Sequence, residues 1–192
     1  MDGLFGISTG KPASLGVPIG VLATMSTAGT AHTNSTTETS LITGTFLGSK
    51  TIAAEALNVV GRTLRVNVRG VYSTAAVPGT LRFFVRVGGI AGVIVASTFL
   101  NTPPALSVNR YFEVDCLITT RATGATGNVT AQGQVTVAAT GSAVQIWDMP
   151  NTGVSAAIDL TAAKDLAVTA DWGTADGGNT ITAHVATIEV LN

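Results

Sequence analysis

This 192-residue sequence predicts an all-β fold: a jelly-roll-like antiparallel β-sandwich preceded by an extended N-terminal arm. Three observations carry the prediction. Short stretches alternate apolar and polar residues with period 2, the mark of a half-buried strand. Clusters of Gly, Pro, Asn and Asp separate those stretches at near-regular spacing. No stretch carries a convincing amphipathic helical pattern. Many short strands with regular turns and no helix indicate a sandwich, with an immunoglobulin-like arrangement as the second topology.

Residues 1–37 form the expected arm. They are rich in Gly, Ser, Thr, Ala and Pro, and Pro12 and Pro18 interrupt any regular element. Their apolar residues are scattered, and such a segment orders itself poorly when free in water. The arm is therefore expected to lie along a neighbouring subunit, the alternative being its own domain, with Leu4, Phe5, Val17 and Ile19 as contact residues.

The sandwich domain is expected over residues 38–192. Ser40 to Leu47 reads as its first strand, and residues 53–58 as one helical turn or a strand edge. Leu64, Val66 and Val68 then alternate with Arg65, Asn67 and Arg69. After a turn at Pro78-Gly79, Leu81, Phe83, Val85 and Val87 alternate with Arg82, Phe84 and Arg86. Ile90 to Thr98 is a more continuously apolar strand. Tyr111 to Thr120 sets Phe112, Val114, Cys116 and Ile118 against Glu113 and Asp115. Strands over Val129 to Val137 and Ala143 to Trp147 follow, and residues 157–160 read as extended. Leu166, Val168, Ala170 and Trp172 mark one closing strand and Thr180 to Leu191 the other. The loop between them, Gly173 to Asn179, is rich in Gly and Asp, so the two read as a hairpin with Trp172 at the loop's edge.

The composition is 46% hydrophobic and 11% charged, against roughly 25% charged in an ordinary soluble domain. The three lysines are Lys11, Lys50 and Lys164. Either a Thr/Ser-rich surface makes up the polarity, or copies of the chain or other proteins cover much of it. A net charge of −1 gives no overall field favouring nucleic acid or an anionic membrane. No run approaches the roughly 18 apolar residues of a membrane span. The start has no basic region followed by an apolar one, so no secretory signal is expected. A single cysteine, Cys116, excludes an intrachain disulfide framework.

No catalytic, cofactor or metal site is expected. Gly6 to Pro12 resembles a phosphate loop, but the glycine gap is one residue short and Pro12 stands where a hydroxyl is needed. His32 and His184 have no local acidic or thiol partner, and Cys116 falls on an apolar strand face. Asp171, Asp176 and Asn179 lack the ligand spacing of a calcium loop and read as turn formers. The sequons at Asn34 and Asn128 are read as chance in so Thr-rich a chain.

Arg65, Arg69, Arg82, Phe84 and Arg86 are the candidate interface on the body. Paired as a hairpin, the two strands would set Arg69 opposite Arg82 and Arg65 opposite Arg86. Like charges so placed repel and need acidic partners, for which Glu113 and Asp115, on this subunit or the next, are one candidate pair. Phe84 points away from the core between two arginines, a composition suited to a protein contact, the alternative being a solvated sheet face with one exposed Phe.

Four segments carry a resemblance: Thr33 to Leu41, Val60 to Arg65, Gly70 to Thr74, and Trp172 to Asp176 with Asn179 to Thr182. Together they resemble a group of tailed-bacteriophage virion proteins with a small β-sandwich, over roughly residues 33–192. The resemblance implies a jelly-roll-like domain, usually trimeric, on virion exteriors, and no catalytic residues. The expected function is thus non-enzymatic: a capsid decoration or cement protein, made in the host cytoplasm and carried on the capsid exterior. It would act as a homotrimer whose partner is the major capsid protein or another virion protein, with no nucleic acid or membrane partner and no cofactor. The alternative is a receptor-binding or adhesion module of a phage tail or head fibre, with specificity in loops 100–109 and 148–156. A depolymerase would need two carboxylates across a cleft, and none are obviously paired.

Overall fold

The computed structural model describes residues 19–139, 143–150 and 153–192. The chain is an all-β antiparallel sandwich, as its alternation predicts. Its strands are β1 (Gly20–Met25), β2 (His32–Thr33), β3 (Thr39–Ser40), β4 (Phe46–Gly48), β5 (Thr51–Ile52), β6 (Thr63–Ser73), β7 (Leu81–Val87), β8 (Val93–Ser97), β9 (Arg110–Ala122), β10 (Asn128–Ala138), β11 (Val144–Met149), β12 (Lys164–Trp172) and β13 (Thr180–Val190). The larger sheet has the order β11-β10-β9-β6-β13-β1-β4, with β2 also on β13. The smaller has the order β3-β12-β7-β8, with β5 also on β12.

Alternation decides which residues enter the core. In β6, Leu64, Val66, Val68 and Tyr72 are buried while Arg65 and Arg69 turn outward. In β12, Leu166, Val168, Ala170 and Trp172 are buried on the inward face. Phe83 of the smaller sheet lies 5.7 Å from Phe112 and 6.2 Å from Trp147 of the larger, so three aromatic rings join the layers. β13 carries a bulge between Ala183 and Val185 opposite Gly70. A Cβ at Gly70 would come 2.0 Å from the Thr182 carbonyl oxygen, so this close approach requires glycine.

Several expectations are corrected. β12 and β13 are not a hairpin: β12 pairs with β7 and β13 with β6, so loop 173–179 arches from one sheet to the other. β6 and β7 also lie in different sheets, which separates Arg65 and Arg69 from Arg82 and Arg86 and removes their expected mutual opposition. An arch keeps the apolar face inward in both strands, so alternation cannot tell it from a hairpin. The single strand expected over 40–47 is two short pieces, β3 and β4, on different sheets. Residues 53–58 are turns rather than helix or strand.

The arm boundary at residue 37 is also moved. β1 pairs with β13 on one side and β4 on the other, and β2 pairs with β13. Ala23 and Met25 face the core at 1% and 4% exposure. Residues 20–25 therefore belong to the sandwich; Gly-rich and Thr-rich flanks conceal their short alternation.

Register defines two ends. Gly20 and Leu64 both lie opposite Val190, at the end where β1 enters, here termed basal. Ser73 lies opposite Thr180 and Leu81 opposite Trp172, at the end that carries loops 74–80, 98–109 and 173–179, here termed apical.

Candidate functional site

The outward face of the smaller sheet holds the first arginine cluster. Arg86 donates from Nε and Nη2 to the two carboxylate oxygens of Glu38 at 2.6 Å each, and from Nη1 to the Gly92 carbonyl at 2.8 Å. The Thr169 hydroxyl also donates to Glu38. Arg82 pairs with Asp171 at 3.2 Å. The guanidinium carbons of Arg82 and Arg86 lie 4.4 and 5.3 Å from the centroid of the Phe84 ring. Phe84 does leave the core face, as expected, but it is only 2% exposed beneath these groups. The cluster is closed by the chain's own acids, so Phe84 is not an open contact residue. Burial alone would raise the Glu38 pKa; the bonds from Arg86 and Thr169 and the charge of both arginines outweigh it and hold the carboxyl below its usual range.

The second cluster lies on the outward face of the larger sheet, where the expected acidic partners are found. Arg65 donates to both oxygens of Asp115, at 2.9 and 2.8 Å. Arg69 lies opposite Glu113 and donates to it at 3.0 and 2.8 Å, with Asn67 at 2.7 Å and the Tyr111 hydroxyl at 2.6 Å on the same carboxylate. Here too burial raises the Glu113 pKa while these bonds pull it further down, to a net lowering. The Arg65 and Arg69 side chains stay 43% and 53% exposed. A shallow depression of about 220 Å³ runs between β6 and β13, lined by Arg65, Asn67, Arg69, Val185, Thr187 and Glu189. A second, of about 230 Å³, lies over β9 and β10 around Leu117, Arg121 and Gln132.

Two apolar areas complete the surface. At the basal edge, Ile19, Val21 and Leu47 are 72%, 58% and 70% exposed where the chain enters β1. Leu4, Phe5 and Val17, the other expected arm contacts, lie outside the described residues. At the apical end, Val77, Phe99, Leu100, Leu106 and Val108 are all exposed. Their two loops are laced together: Thr74 N–H donates to the Ser107 carbonyl, Leu106 N–H to that of Ala75, and Leu81 and Asn101 exchange backbone bonds. Leu106 and Asn109 take positive φ values of 54° and 48°. Sequence reasoning marked the 100–109 loop but missed Val77, which only the arch brings alongside.

The chemically tempting residues serve structure. Cys116 is buried, and burial, reinforced by Asp115, pushes its thiol up to about 12, leaving no thiolate at neutral pH. His32 is buried on β2, and burial outweighs the attraction of Asp171 to lower its pKa. His184 is exposed at the bulge of β13. Asp171 pairs with Arg82, and Asp176 accepts the Gly178 N–H within its own turn. Asn179 is fully buried: its side chain accepts from the Ala75 N–H at 3.0 Å and donates to the Pro78 carbonyl at 2.8 Å. Among the described residues, no group of three or more His, Cys, Asp or Glu side chains is placed to hold a metal. The Gly6 to Pro12 motif lies outside the described residues.

No family model matches the sequence, and no curated protein matches it. Among solved structures, the chain is similar to the CBM2 module of an evolved Dit from Lactobacillus casei BL23 phage J-1. The identity is 12%, over 74% of this chain and 68% of that one, with a TM-score of 0.33. It is also similar to a protein of unknown function from Shewanella oneidensis MR-1, at 13% identity over 83% of this chain and 67% of that one, with a TM-score of 0.36. At TM-scores this low, neither likeness bears on function.

Proposed function

We propose that this protein is a non-enzymatic virion structural protein that decorates and cements a bacteriophage capsid. One observation supports an anchored role above the others. The chain enters the sandwich through β1 near the edge of the larger sheet, beside exposed Ile19, Val21 and Leu47, at the end opposite the apical loops. In this reading Leu4, Phe5 and Val17 act with those three as anchor residues. In this reading homotrimers sit on the capsid exterior, and the anchors bury apolar surface across boundaries between major capsid protein subunits. Binding free energy gained only in the intact shell then opposes its rupture. The sequence resemblance to phage virion sandwiches supports the same class.

The test is deletion of residues 1–18, stopping short of β1 so that strand pairing is untouched. The truncated protein is expected to keep its β-sheet circular dichroism and lose binding to purified shells. Full occupancy on shells by a folded truncation would overturn the anchoring role.

The apical loops favour a second reading, a receptor-binding or adhesion module. Five exposed apolar side chains on two hydrogen-bonded loops form a pre-arranged surface. The two readings differ in copy number on the particle: hundreds for a decoration protein, few for a tail tip.

A further inference from the structure

We propose that the outer edge of β11 is a self-association site, at which β11 of a second copy pairs antiparallel and continues the larger sheet from one molecule into the next. β11 is the last strand of that sheet and pairs with β10 alone among the described residues. Among the described residues its other side has no strand partner, and such an edge is the usual template for an added strand.

Three features distinguish β11 from the other sheet edges. First, those edges are short or flanked. β4 has three residues and contains Gly48 at φ 83°, while β3 and β5 have two residues each. β8 has five residues, an interrupted register with β7, and a depression shared with Val154, Ser155 and Ala156. Second, β11 has six residues in unbroken register with β10, with no bulge, no proline and no lysine inside it. Those are the devices by which proteins ordinarily block edge pairing. Third, Val144 and Ile146 stand 58% and 60% exposed on the outward face of this edge. Asp148 is the strand's one charged residue.

The occupant follows from self-complementarity. An antiparallel pair centred on Gln145 places Gln145 opposite itself and Val144 opposite Ile146 of the partner subunit. Four β-branched side chains then meet on one face, the cross-strand arrangement that stabilises sheets. No like charges are set directly opposite within the central three residue pairs. Such a contact is isologous, so it joins two copies irrespective of any other contact each makes, and it can link neighbouring trimers.

The full-length protein tests this by sedimentation velocity and by cross-linking. Directly opposed residues in an antiparallel pair have Cα atoms about 4.5–5.5 Å apart, inside the roughly 4.4–6.8 Å that a disulfide spans. Gln145→Cys is therefore expected to give a covalent dimer under mild oxidation, and Val185→Cys, exposed in mid-sheet, is not. No covalent dimer at 145, or equal yield at 185, overturns the proposal. Ile146→Lys is expected to weaken reversible association at least about tenfold with an unchanged thermal melt; unchanged association overturns it. The paired change Leu4→Ser with Phe5→Ser is expected to leave association intact; its loss would make residues 1–18 the occupant and also overturn the proposal. Shell binding is not read in these experiments, so their failure is separate from failure of the decoration role.

Discussion

Glu38 shows most clearly what a single side chain does in this fold. It precedes β3, yet its carboxylate closes the outward face of the smaller sheet by taking both donors of Arg86 and the hydroxyl of Thr169. Arg86 is only 14% exposed, so loss of the acid leaves a largely buried cation without its counter-charge. Glu38→Gln should therefore destabilise the protein by up to about 3 kcal/mol, near the lower end of the cost of breaking a buried pair. The pH dependence has a definite sign. The folded-state pKa of Glu38 is lowered, so its contribution is complete above the unfolded carboxylate pKa of about 4.3 and is lost as pH falls through the folded value. Urea midpoints of wild type and Glu38→Gln, measured from pH 7 to pH 3, should converge as pH falls; a constant gap would refute this role. Part of this chemistry was legible in the sequence. Glu113 and Asp115 alternate outward on one strand, so the sequence offered them as acidic partners for the arginines, on this subunit or the next, without saying which arginine each would take. The Glu38–Arg86 pair was not legible, because it depends on which sheet each strand joins.

Strand existence was legible along most of the chain, while strand partnership was not. The alternation in β6, β7, β9, β10, β12 and β13 appears in the sequence because each has one face in the core. The arches after β6 and β12 were invisible, since a loop of Gly, Asp, Thr and Ala suits a hairpin and an arch equally well. β1 was hidden for another reason: only Ala23 and Met25 of its six residues are buried. What holds the two arches in place is Asn179, which bonds from the end of one loop to Ala75 and Pro78 in the other. Asn179→Ala would strand a backbone donor and a carbonyl in a buried setting, at about 1–3 kcal/mol for each unsatisfied group. A loss of about 2–4 kcal/mol in denaturant unfolding is expected, with hydrogen exchange accelerating first in loops 74–80 and 173–179. Unchanged exchange there would remove Asn179 from this role.

The whole molecule is a sandwich with unlike ends. Its charged side chains are few, and Arg65, Arg69, Arg82 and Arg86 are neutralised within the chain. The apolar areas at the base and apex therefore lie in a weakly charged surround. The double change Phe99→Ser with Leu106→Ser should leave stability nearly unchanged, because both side chains are 70% exposed. If the protein works from its base, shell binding is also unchanged; if it works from its apex, host adsorption falls instead. The scarcity of charge and the sandwich were legible from composition and alternation. The polarity of the molecule was not, because it depends on strand register.

That register also gives the molecule a mechanical direction. Gly20 lies opposite Val190 in a terminal antiparallel pair, so tension applied between those residues parts β1 from β13 one rung at a time, like a zip. Tension between the base and loops 74–80 or 98–109 runs along the strands and loads many rungs together in shear. A copy held before Gly20 and pulled at its apex is therefore loaded along its strong axis. In single-molecule pulling, anchor points at the base and apex should give a much higher rupture force than anchor points at Gly20 and Val190.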